Sequence, residues 1–131
     1  MSMLRRALQA FAAVWAGCGL ALIVVPRWVL VTLFGQPAYP DYTYVRVAGA
    51  MSIGLAMLAV MVSRRDDAWW WAWAFAVVTA LCGTITVLHA LLDVPADAGV
   101  LLWWLFALVS AGLTAWLVLG VTRASQDNPI S

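Results

Sequence analysis

A chain of 131 residues that is 66% hydrophobic and only 10% charged, with a mean hydropathy of +0.96, is not a water-soluble domain, because such domains carry about 25% charged residues. Its cations are all arginine and its anions all aspartate, summing to +1, so sites that need glutamate are excluded, among them the Glu-x-x-His di-metal centres of helical bundles. A single histidine, His89, and two cysteines without C-x-x-C spacing provide no multi-histidine metal or haem centre and no dithiol redox motif.

The first apolar run, 8–25, follows Arg5 and Arg6. It lacks the short core and small-residue cleavage site of a signal peptide, so it reads as a retained membrane span. Pro26 interrupts it, and RWVLVTLF, 27–34, is too short to cross; it is either a kinked extension or a helix lying at the interface. Gly35, Gln36, Pro37 and Pro40 then form a breaker-rich loop with Tyr39, Tyr42 and Tyr44. The second span covers 45–62 and stops at the charged turn Ser63-Arg64-Arg65-Asp66-Asp67. A long third span, 68–92, is followed by the short loop DVPADAG. The fourth span, 100–121, runs into a polar tail, 122–131, expected to fray. Connections this short join antiparallel neighbours, which predicts an all-α fold: an integral-membrane, up-down bundle of four transmembrane helices in one membrane domain, 1–131.

Arginine placement orients the bundle by the positive-inside rule. With Arg5, Arg6, Arg64, Arg65 and Arg123 on one side against Arg27 and Arg46 on the other, both termini are expected in the cytoplasm. The absence of lysine hints at a GC-rich bacterial genome, and so at the inner membrane. Nine tryptophans then fall largely into two belts. Trp69, Trp70, Trp71 and Trp73 anchor the inner interface with Trp116 near the same level, and Trp28, Trp103 and Trp104 anchor the outer one. Trp15 lies mid-span and must face lipid, a neighbouring helix or a ligand.

Small residues recur four apart at Ala13 and Gly17, at Ala50 and Gly54, along Ala72, Ala76 and Ala80, and along Ala107, Ala111 and Ala115. Such stripes let helix backbones approach closely, and the simplest use is packing inside the chain. Cys18 and Cys82 share a depth near mid-bilayer and read as small buried thiols.

Three ionisable residues remain after topology is accounted for. Arg46 opens the second span, while His89 and Asp93 lie four apart at the end of the third, all at one expected depth. Asp93 at a helix C-terminus opposes the helix dipole and calls for a cation, so an Arg46–Asp93 contact is expected with His89 in reach and Asp41, Tyr42 and Tyr44 closing the site. Such a cluster is either a clasp between two helices or an outward-facing pocket for a headgroup, quinone or proton.

At Tyr44 to Arg65, YVRVAGAMSIGLAMLAVMVSRR, an Arg opens the span, a Gly follows three residues later and another five after that, and a basic pair ends it. This pattern resembles the second helix of DoxX-like small four-helix membrane proteins. The P-x7-F-G element from Pro26 to Gly35 is similar to the segment after their first helix. Arg46, Gly49 and Gly54 are the matched positions. The resemblance implies a four-helix bundle and, for some members, an accessory membrane subunit beside a quinone-linked oxidoreductase; it carries over no catalytic residue.

Function therefore reads first as an accessory or structural subunit of a larger membrane complex, respiratory or quinone-linked, surrounded by lipid and contacting other subunits or itself. The alternative is a binder or transporter of a quinone, lipid or proton at the Arg46, His89, Asp93 cluster. A stand-alone enzyme ranks last, since no nucleophile, metal set or oxyanion donor accompanies His89 and Asp93. Hydrolase and nucleotide motifs are missing. With no basic patch beyond the helix flanks, nucleic-acid binding is not implied.

Overall fold

In hydrocarbon every backbone amide and carbonyl must find its partner within the segment, which leaves the helix as the conformation of an apolar run. The computed structural model, which describes residues 2–33, 40–92 and 100–127, has helices α1 (Ser2–Val24), α2 (Thr43–Ser63), α3 (Ala68–Leu92) and α4 (Val100–Asp127) and no strand among the described residues. All four are long and apolar enough to cross a membrane.

Beyond α1 the chain does not break. The Val25 amide donates to the Ala21 carbonyl at 2.9 Å and the Val29 amide to the Val25 carbonyl at 3.1 Å, so hydrogen bonding carries on past Pro26 into a π-helical segment, Trp28–Leu33. Proline has no N–H to give and its ring crowds the carbonyl four residues back. The chain bends at Val25, just before the proline. Residues 27–33 thus continue α1 as a helical extension beyond Pro26.

At the other end of the bundle α1 starts earlier and α4 stops later than the apolar runs indicate. Leu4, Ala7 and Leu8 are fully buried, as are Leu117, Val121 and Ala124, and all six belong to one core with Phe11, Ala59, Ala68, Ala72 and Phe75. The expected polar tail from residue 122 is therefore helical as far as Asp127. Thr122 and Ser125 remain compatible with it by returning their hydroxyls to the Leu119 and Thr122 carbonyls, each at 3.0 Å, the usual recourse of such side chains in helices. Aromatic rings tie this core across helices. Phe11 stacks on Trp15, centroids 5.2 Å apart, and meets Phe75 edge-on at 5.1 Å, each such pair contributing about 0.5–1.5 kcal/mol.

The helices form two antiparallel hairpins. In the first, α1 crosses α2 where Gly19 meets Gly49: a Cβ on either residue would lie 2.6 Å from the other's carbonyl oxygen. In the second, the Thr114 hydroxyl on α4 lies 2.8 Å from Thr79 Oγ1 on α3, while Thr79 itself donates to the Ala76 carbonyl at 3.0 Å. The hairpins join through α1 and α4, where a Cβ on Gly120 would lie 2.9 Å from Leu4 Cα. Although a four-residue turn links them, α2 only grazes α3. Close packing of chain neighbours thus holds within each hairpin and is slight between α2 and α3.

The small-residue stripes also divide differently from expectation. Ala72, Ala76 and Ala107 are buried, but Ala13, Gly17 and Ala50 face outward, and a Cβ added at Gly17 or Gly54 would touch nothing within 4 Å. Glycine serves two separate purposes in the first hairpin, and substitution distinguishes them. Gly49→Ala forces a methyl into the Gly19 backbone and should cost roughly 1–3 kcal/mol, the usual penalty of overpacking. Gly54→Ala should be neutral or stabilising by up to ~1 kcal/mol through helix propensity. Reversible unfolding in mixed micelles measures both; equal effects at the two positions contradict the assigned packing.

Candidate functional site

The end of the bundle opposite the 64–67 turn holds a partly polar concavity. The bend after α1 brings Pro26, Arg27 and Trp28 to face the start of α2. Together with Thr32, Tyr42 and Arg46 they line a cleft of about 780 Å³, whose remaining wall is largely aliphatic, from Val24, Val25 and Val31. Both arginines are exposed. Among the described residues no carboxylate lines the cleft.

The first turn of α2 fixes the position of Arg46. Asp41 Oδ1 accepts from the Thr43 amide at 3.0 Å and from the Thr43 hydroxyl at 2.6 Å, and the Arg46 amide then donates to the Tyr42 carbonyl at 3.0 Å. This is a short acidic residue satisfying one free N–H group at a helix start. The two Thr43 hydrogen bonds hold the Asp41 carboxyl below its ordinary range, with the positive charge of Arg46 adding to them. Asp41 is thus occupied in starting the helix.

The expected cluster is distributed as follows. Arg46 is close enough to Asp41 to act on its charge and shares the cleft with Tyr42. Tyr44 is 87% exposed and takes no part in the lining. His89 packs edge-on against Trp103 of α4, ring centroids 4.5 Å apart. Asp93 lies outside the described residues, and with it the expected Arg46–Asp93 contact. Arg27, which the sequence reading counted only toward topology, is the residue that it missed as part of the site. The available signal was that Arg27 follows the first span and Arg46 opens the second, so that antiparallel helices bring both to one end.

The remaining conspicuous side chains have structural partners. At the turn between α2 and α3, Arg65 Nε donates to Asp67 Oδ1 at 2.7 Å and its terminal nitrogen to Oδ2 at 3.2 Å. The Trp71 indole N–H donates to the same Oδ2 at 3.0 Å, and the Arg65 guanidinium lies 5.6 Å from the Trp71 ring centre. Of the WWWAW run, Trp71 anchors this turn, and Trp70 and Trp73 face outward. Trp15, the mid-span tryptophan, lines a narrow cavity of about 100 Å³ between α1, α2 and α4 with Cys18, Ser52 and Ser110. Cys18 is exposed and Cys82 partly so, which corrects the reading of both as buried. Among the described residues no group of three or more His, Cys, Asp or Glu is gathered as metal ligands.

No known family model matches the chain, and neither a curated protein nor a solved structure does.

The turn supplies a pH test. The hydrogen bonds from Arg65, then Trp71, hold the Asp67 carboxyl down at about 2 from an ordinary value of 3.8. A depressed carboxylate contributes its contacts fully above the ordinary value and loses them as pH falls through the depressed one. Carbon-detected NMR of Asp67 should therefore titrate with a midpoint at about 2, and Arg65→Gln should raise the midpoint more than Trp71→Phe. A midpoint at the ordinary value in the wild-type chain contradicts the turn geometry.

Proposed function

We propose that this chain is a non-catalytic integral membrane protein that packs side by side with other membrane-spanning helices, as an accessory or structural subunit of a larger membrane complex. The arginine distribution supports a location in a bacterial inner membrane with both termini cytoplasmic. The resemblance of Tyr44 to Arg65 and of Pro26 to Gly35 to DoxX-like proteins points to a respiratory or quinone-linked setting.

One observation carries the reading. α2 has a single substantial neighbour, α1; Met57 and Met61 border the groove it forms with Ala12, Ala13 and Ala16 of α1, and beside them α2 presents Ala50, Gly54 and Met51, with the three methionines more than 60% exposed. Lipid tails are as apolar as these side chains, so the hydrophobic effect does not distinguish lipid from protein there. What a glycine and an alanine four apart offer is backbone approach, and Gly17 and Gly54 leave that space unused within the chain. Methionine beside them adapts its unbranched side chain to an irregular partner.

The open space also makes the test clean, since bulk at these glycines meets nothing in the chain itself. Gly54→Leu and Gly17→Leu should leave the melting temperature in micelles within a few degrees of wild type. In the native membrane they should abolish a cross-linked product of defined mass that wild type gives stoichiometrically. A single monomeric species in wild-type membranes, unchanged by either substitution, overturns the subunit reading.

A further inference from the structure

We infer that the cleft between the bend of α1 and the start of α2 is a binding site for a phosphate group, held by Arg27 and Arg46, and that its source is the headgroup of an anionic phospholipid. The inference shares only the membrane setting with the subunit reading and stands apart from it.

Three features of the cleft support this. First, two arginines line it and, among the described residues, no carboxylate does; Asp41, near enough to Arg46 to feel its charge, is hydrogen-bonded to Thr43. Arginine offers a planar fork of donors that matches phosphate oxygens and is always charged. Two such forks in one cleft suit a group carrying several anionic oxygens. Second, the wall is divided. Val24, Val25 and Val31 form an apolar side next to the arginines, so a ligand with a charged head and an acyl chain fits both parts, whereas a small free anion would leave the aliphatic wall uncovered. Third, Trp28 is part of the lining and is 54% exposed. Tryptophan settles at the level of lipid headgroups, the depth at which phosphodiesters are found.

Arg46 and Arg27 come from two helices of one tightly packed hairpin, so the geometry of the cleft does not depend on the second hairpin. The arginines are exposed and make no contact in the core, which makes their replacement structurally mild. Glutamine keeps length and polarity while removing the charge.

The test uses the full-length chain reconstituted in nanodiscs of phosphatidylcholine containing a minor fraction of phosphatidylglycerol, with lipid retention read by native mass spectrometry after release into mild detergent. Wild type should retain phosphatidylglycerol over phosphatidylcholine. Arg27→Gln/Arg46→Gln should lose that preference by about tenfold or more, the scale of a charge-assisted hydrogen bond. Arg6→Gln/Arg64→Gln, which removes equal charge at the opposite end, should keep it. Equal losses in the two double variants show non-specific attraction and overturn the site. Retention of inorganic phosphate in place of lipid, in samples free of phosphatidylglycerol, overturns the lipid source. No preference in wild type overturns the proposal outright. Co-elution of the chain with the nanodisc is scored separately, so a failure of membrane insertion is distinguishable from a failure of the site.

Discussion

Where Gly19 meets Gly49, two helix backbones touch with no side chain between them, and a methyl on either would be pressed against the other's carbonyl oxygen. The contact is reciprocal. Ile53 and Ser52 flank Gly19 just as Ile23 and Leu22 flank Gly49, so each glycine sits in a slot walled by the other helix. In a solvent as apolar as the side chains themselves, association rests on dispersion contacts and hydrogen bonds rather than on expelled water, and those contacts multiply only when axes come close. Glycine at the crossing permits that approach. The first hairpin follows from it, and the second hairpin attaches by the same means where Gly120 lies against Leu4.

These two contacts place the tight packing unevenly. The core of Leu4, Leu8, Phe11, Phe75, Leu117 and Val121 gathers near the 64–67 turn, where α1 and α4 extend past the apolar runs and pack on each other. Beyond Phe75 the buried side chains of α3 and α4 include the hydroxyls of Thr79, Thr86 and Ser110. A hydroxyl pair links α3 and α4: Thr114 can donate either to Thr79 Oγ1 or to the Ser110 backbone carbonyl, both at 2.8 Å, and the Thr79 hydroxyl donates to the Ala76 carbonyl at 3.0 Å. A link of this kind contributes about 0.6 kcal/mol in membrane bundles, less than the aromatic pairs at the other end.

The sequence made some of this plain and concealed the rest for a physical reason. Continuous apolar runs identify the helices, Pro26 identifies the bend, and the Ser63 to Asp67 run identifies the turn. Each is a strong local signal. Which face of a helix turns inward is not, because when the partner and the lipid are equally apolar the pattern that marks a buried face in water disappears. Gly17 and Gly19 are two residues apart on the same helix, and nothing local shows that one faces open space and the other a backbone. The ends of α1 and α4 were obscured similarly, since Leu4 lies just before Arg5 and Arg6, and Val121 and Ala124 alternate with Thr122, Arg123 and Ser125. Burial by a neighbouring helix, not local hydropathy, fixes those limits.

The cleft at the far end illustrates how the same contact reaches the chemistry. Gly49 lies three residues after Arg46, about one helical turn, and Arg27 follows Gly19 by eight residues, a little over two turns at 1.5 Å per residue. The distance between the α1 and α2 axes at the glycine crossing is therefore the origin from which both arginines are placed. Proline then determines the direction, since the bend at Val25 and Pro26 turns Arg27 and Trp28 to the side where Tyr42 and Arg46 stand. Arg27 and Arg46 are the two that the positive-inside rule leaves on the minority side. Only the closeness of the hairpin makes them two walls of one cleft, and that closeness requires residues 19 and 49 to carry no side chain.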